Sequence, residues 1–100
     1  MPPMYIRVSQ VPKGDPSKVD DVLAVVREVG IPTMRQLPGF RNAFVGVDRT
    51  TGGGVVVTLW DTQEQANFTV SPEFTARMQA VGAPPDPTST RLIFELAEQV

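Results

Sequence analysis

The stretch from Val55 to Ala66, VVVTLWDTQEQA, narrows the fold more than any other part of the chain. It begins as a run of β-branched and large apolar residues. Val55, Val57 and Leu59 fall on one side of a period-two pattern, and Val56, Thr58 and Trp60 on the other. Both sides are largely apolar, which is the pattern of a strand covered on two faces. Just beyond Trp60, Thr62-Gln63-Glu64-Gln65 has the form of a capping box, the Thr62 hydroxyl accepting from the Gln65 amide while the Gln65 side chain reaches back. A helix is therefore predicted from Thr62 to about Val70.

The segments on either side supply partners for this strand and helix. Tyr5 to Val11 alternates as a strand, with Tyr5, Arg7, Ser9 and Val11 on one face and Ile6, Val8 and Gln10 on the other. Asp15-Pro16 reads as an N-cap followed by proline in the first helical turn, and Asp20 and Asp21 suit the positive end of the helix dipole. Val19, Val22, Leu23, Val26 and Val29 then form one apolar stripe. Gly30-Ile31-Pro32 is expected to break or kink that helix, leaving a short turn from Met34 to Leu37. Pro38-Gly39-Phe40 turns the chain into a second strand, Arg41 to Asp48, and Arg49 to Gly54 is a hairpin loop. Its three glycines read as a flexible turn and not a phosphate cradle, because no Lys-Ser/Thr follows and the next element is a strand. Ser71-Pro72-Glu73 caps a further helix whose Phe74, Met78 and Val81 make a stripe ending at Gly82, and Thr90 to Leu96 is the last strand.

The order βαββαβ is that of an α+β, ferredoxin-like domain, one unit spanning residues 1–100, with a four-stranded antiparallel sheet and its helices on one face. The opposite sheet face is left apolar, so a homodimer packed sheet against sheet is expected. With 9 Lys and Arg against 11 Asp and Glu, and no basic cluster, nucleic acid and anionic membranes are excluded as partners. The absence of cysteine and histidine removes thiolate chemistry, the usual general base and the commonest zinc and haem ligands. The start, Met1-Pro2-Pro3-Met4, lacks the basic and apolar regions of a signal peptide, and no apolar run approaches the ~20 residues of a membrane span, so a cytoplasmic protein is expected.

Pro38-Gly39-Phe40 before strand two, a hairpin, and an apolar strand ending Leu59-Trp60-Asp61-Thr62 with Glu64-Gln65-Ala66 opening the next helix together resemble the antibiotic biosynthesis monooxygenase family, the dimeric α+β barrels. The resemblance covers nearly the whole chain and implies a small-molecule pocket between helices and sheet in each subunit. It implies either a cofactor-independent monooxygenase acting on a small aromatic or quinone-like molecule, or a non-enzymatic homodimer with a ligand-binding or structural role. A related isomerase or stress protein on the same barrel is a third reading. Polyketide-oxidising members carry an asparagine four residues before the tryptophan and a tyrosine six after it, and those positions here are Val56 and Ala66. Haem-degrading members need a strand-one asparagine and a histidine, for which this chain has Arg7 and about Arg77. The pocket candidates are Tyr5, Arg7, Asn42, Phe44, Trp60, Phe74 and Met78, with no metal, no cofactor and no assigned catalytic residue. Asp48 and Asp61, at strand ends beside turns, read as local caps and not as a catalytic pair.

Overall fold

The computed structural model describes residues 3–100; the start at Met1 and Pro2 lies outside the described residues. Four strands, β1 (Tyr5–Val11), β2 (Phe40–Val47), β3 (Gly54–Trp60) and β4 (Thr90–Glu95), form one antiparallel sheet in the order β2-β3-β1-β4. The helical segments pack on one face. They are a 3₁₀ turn (Pro16–Lys18), α1 (Val19–Val25), a π-helical turn (Val26–Gly30), α2 (Ile31–Arg35), α3 (Gln63–Ala66) and α4 (Pro72–Ala80). This is the ferredoxin-like α+β arrangement that the alternation of strand and helix patterns predicts.

Register fixes which side chains look inward. Tyr5 faces Trp60, Arg7 faces Thr58 and Ser9 faces Val56 across the β1–β3 ladder, and Ala43 and Val45 continue the same rows into β2. These positions lie under the helices. Above them are Val19, Val25, Val26, Val29 and Ala66, which with Trp60 form the buried apolar core. Ile6, Val8, Val55, Val57, Leu59, Asn42, Phe44, Leu92 and Phe94 occupy the other face. Nothing among the described residues covers much of that face, and Phe44, Leu92 and Phe94 are 63%, 54% and 50% exposed.

The first helix does not break at Pro32. Asp15 caps it as expected, its carboxylate accepting from the Ser17 amide at 2.9 Å. Near Pro32 the chain widens by one residue into a π turn, the Ile31 amide donating to the Val26 carbonyl, and helix resumes as α2. The extra residue absorbs the hydrogen bond that proline cannot make. Val25, the residue before this turn and outside the sequence stripe, is also buried, at 2% exposed. Gly30, in this turn, meets the ring of Phe74: a β-carbon there would lie 2.9 Å from Phe74 Cε1, so α4 crosses the π turn at glycine-only distance.

Two further expectations are corrected. The helix after Trp60 is one turn long and ends at Ala66, not near Val70. Only half of the capping box forms: Thr62 Oγ1 accepts from the Gln65 amide at 3.1 Å, but the Gln65 side chain lies over Gly39 instead of reaching back. Gly39 has φ of 83°, and any β-carbon on it would strike the Gln65 carboxamide. The glycine of Pro38-Gly39-Phe40 is thus required twice, by its backbone and by its neighbour. The loop glycines are likewise packed, not loose: a β-carbon on Gly53 would lie 2.5 Å from the Pro12 carbonyl oxygen, and one on Gly52 within 2.6 Å of Gly14 backbone.

Candidate functional site

The inward row of β1 and β3 carries the chemistry-bearing residues. Trp60 is fully buried, its ring 5.5 Å from that of Phe40 in an edge-on arrangement and 4.9 Å from that of Phe68. Its indole N–H donates to Thr58 Oγ1 at 2.8 Å, and Thr58 is itself buried on the same strand, two residues earlier. The only polar atom of the tryptophan is therefore satisfied inside the sheet.

Arg7 is the second centre. Its residue surface is 4% exposed, beneath the connector that joins α3 to α4. Nη1 donates to the carbonyls of Ala66 at 3.1 Å and Phe68 at 2.7 Å, Nε makes a long 3.4 Å bond to Ser9 Oγ, and the guanidinium carbon stands 3.8 Å from the centre of the Phe68 ring. These bonds explain the early end of α3, since the Ala66 and Phe68 carbonyls point at the arginine and leave the helical ladder. Burial, reinforced by the neighbouring charge of Arg91, lowers the Arg7 pKa to about 10. The ion pairs formed among the described residues are Arg41–Asp61, Arg49–Asp20 and Arg77–Glu28, so Arg7 is a buried cation held by neutral carbonyls and not by a carboxylate.

The sequence candidates separate into two groups. Tyr5, Arg7 and Trp60 share the inward face; Phe74 and Met78 lie half-buried on α4, with Phe74 against Gly30. Asn42 and Phe44 are on the open face, where they line a 180 Å³ hollow with Ile6, Val57, Leu59, Leu96 and Gln99. A second hollow of 290 Å³ sits at the hairpin end of the sheet, beside Gln10, Val47 and Thr51. Asn42 and Phe44 therefore do not meet Trp60. Phe68 and Thr58 were not singled out for the site, and only their place beside Trp60 and Arg7 reveals them. Asp61 is paired bidentately with Arg41 at 2.6 and 3.2 Å, and Asp48 caps the hairpin by accepting from the Thr50 and Thr51 amides, so both carboxylates have local partners. No group of three or more carboxylates that could hold a metal ion occurs among the described residues.

The fold defines the class first: a ferredoxin-like α+β domain with an aromatic and cationic cluster between sheet and helices. Within that class its likeness is to antibiotic biosynthesis monooxygenases. A monooxygenase from the gene ActVA-Orf6 of Streptomyces coelicolor, in complex with nanaomycin D, superposes with a TM-score of 0.69 at 15% identity over 96% of this chain and 89% of that one. A Caulobacter crescentus protein assigned as an antibiotic biosynthesis monooxygenase gives 0.69 at 18% identity, covering 96% of this chain and 92% of its own. SnoaB, a cofactor-independent oxygenase from Streptomyces nogalater, gives 0.61 at 17% identity, covering 100% and 98%. No family model matches the chain, and no curated protein matches it in sequence. At these identities the likeness is one of fold.

Proposed function

We propose that this protein is a cofactor-independent, monooxygenase-like homodimer that binds a small aromatic or quinone-like molecule between helices and sheet, beside Trp60. The observation that carries the reading is the Arg7–Phe68–Trp60–Phe40 cluster, a cation stacked in an aromatic wall at the heart of a fold otherwise seen in such oxygenases. A buried guanidinium favours the deprotonated form of a phenol, and an electron-rich phenolate can itself reduce dioxygen. The ring would exchange two hydrogens for one oxygen atom of O₂, the second oxygen leaving as water. Dimerisation through the open face would bury Phe44, Leu92 and Phe94 and enclose the hollow around Asn42. Among the described residues no helix is long and apolar enough to cross a membrane.

A non-enzymatic, ligand-binding homodimer is favoured by one specific observation. The tryptophan N–H is committed to Thr58, while Val56 and Ala66 stand where polyketide-oxidising members carry polar groups. Oxygen uptake with a panel of hydroquinones and naphthols separates the two readings. Turnover that falls on substitution of Arg7 supports the enzyme; binding without turnover across the panel refutes it and leaves the binding protein.

A further inference from the structure

A single side chain holds down the α3–α4 connector. Phe68 offers Arg7 a ring face 3.8 Å from the guanidinium carbon and a carbonyl oxygen 2.7 Å from Nη1. An aromatic acid offers the same two groups, a flat ring and an oxygen, except that its oxygen carries a charge. Buried arginines are ordinarily matched by a carboxylate, and leaving one opposite neutral carbonyls forfeits most of the Coulombic return on burial. Arg91, opposite Ser9 on the neighbouring strand and on the same inward face, adds positive charge to the site, and neither arginine has a carboxylate within 4.0 Å among the described residues. Nη2 takes no part in the bonds to Ser9, Ala66 or Phe68 and keeps its donors.

We propose that Arg7 is the receptor for an aromatic monoanion, a ring bearing a carboxylate or phenolate oxygen, and that Phe68 occupies the same place as a self-ligand. The inference deepens the small-aromatic reading above and rests on it. An incoming anion takes the guanidinium from the Phe68 carbonyl, because a charged acceptor binds it more strongly than a neutral one, and its ring replaces Phe68 in the stack beside Trp60. The connector between Ala66 and Ser71, which contains no regular structure, then lifts, and the ligand ring takes over the contacts with Trp60 and Arg7 that Phe68 gives up.

Calorimetric titration of the full chain with 2-naphthoate and with its neutral isostere 2-naphthalenemethanol at pH 7 tests this. The naphthoate is expected to bind at least about tenfold more tightly, the worth of one charge-assisted contact. Titration at pH 7 with a nitro-substituted 2-naphthol that is ionised at that pH, beside 2-naphthol, which is neutral there, serves as the phenolate arm while Arg7 stays charged: tighter binding of the ionised naphthol supports the receptor for phenolates, and equal affinity of the two overturns it for them. Phe68→Ala should strengthen naphthoate binding by removing the competitor, whereas a purely structural Phe68 would leave it unchanged or weaken it. Arg7→Met should erase the preference for the anion; Arg7→Lys, which keeps the charge if the methionine variant does not fold, should retain it. Equal affinity for naphthoate and its alcohol overturns the anion receptor and leaves the aromatic-pocket reading standing. No binding of any probe to wild type or Phe68→Ala overturns both.

Discussion

Phe44 gives the sharpest test of how the open sheet face is used. It projects from β2 with 63% of its surface exposed, and Phe94 projects from β4 with 50% exposed. Taking roughly 200 Å² for a phenylalanine side chain, Phe44 has about 130 Å² left to bury, which at about 25 cal/mol per Å² corresponds to about 3 kcal/mol. A twofold interface uses each residue twice, so the Phe44→Ser dimer loses up to about 6 kcal/mol, about a 10⁴-fold weakening of association. Incomplete burial lowers this figure, and a loss of at least about 100-fold is the working expectation. Sedimentation velocity across micromolar concentrations reads it directly: if the open face is the interface, wild type is expected to run as a dimer and Phe44→Ser as a monomer with unchanged circular dichroism. Val70→Ser is the control, an apolar residue 41% exposed in the connector before α4, and it should leave the dimer intact. A wild-type monomer at micromolar concentration, or a Phe44→Ser dimer of undiminished affinity, would refute the reasoning.

Other consequences concern single positions. Gly39→Ala should lower stability by about 1–2 kcal/mol for the left-handed backbone alone, plus a steric part that Gln65→Ala relieves; denaturant melts of the two single variants and the double variant should show coupling, and strict additivity would contradict the packing of Gln65 over Gly39. Gly30→Ala should loosen α4 by pushing the Phe74 ring, with a cost of about 1–3 kcal/mol in the same assay, and an unchanged melting curve would mean that Phe74 moves freely. Asp15, Asp48 and Asp86 all have pKa values lowered by hydrogen bonds from Ser17, from Thr51 and Thr50, and from Thr88. Their folded values lie below the ordinary 3.8, so the stability they lend is complete above that pH and is lost as pH falls through the folded values. With no histidine, and with Arg7 charged in both folded and unfolded chains below about pH 9, stability should be flat from about pH 5 to 9. A transition near pH 6.5 in thermal melts, or in any activity, would contradict this.

The strands were legible because their signal is local. Period-two alternation in Tyr5–Val11 and Val55–Trp60, together with the turn chemistry of Pro38-Gly39 and the triple glycine, is enough to give four strands in order, and handedness does the rest. The helix ends were less legible because tertiary bonds decide them. Asn67 at the C-cap is only a weak local signal for a stop after one turn; a guanidinium 59 residues away that takes the Ala66 carbonyl out of the helical ladder adds to it and is invisible in the local sequence. Pro32 signalled a break or a kink without saying which, since a missing amide proton can be absorbed by a π turn as well as by a break. The site was half legible for the same reason. Alternation placed Tyr5, Arg7 and Ser9 on one face but could not say that this face lies under the helices, nor that Asn42 and Phe44 lie on the other.

In the proposed site beside Trp60, the chemistry falls to Arg7. A tryptophan can offer a ligand a ring face and one donor, and here the donor is bound to Thr58 within its own strand, so what remains is apolar wall. Val56, on the inward row opposite Ser9, adds another apolar surface, and Ala66 adds a buried methyl, its carbonyl being bonded to the arginine. The unpaired positive charge beside the tryptophan is then that of Arg7, which touches Phe68, with Arg91 on the neighbouring strand, whereas Arg41 next to Phe40 is neutralised by Asp61. A binding site of this composition, as proposed, would discriminate by charge better than by hydrogen-bond pattern, because a buried guanidinium acts strongly in a medium of low dielectric. If the chain has a substrate, its specificity should follow ionisation: a series of naphthols of falling pKa ought to rise in affinity as the ionised fraction at pH 7 rises, at nearly constant ring size. Affinity that tracks ring hydrophobicity with no dependence on ionisation would return the site to Trp60 and make Arg7 a strut for the connector.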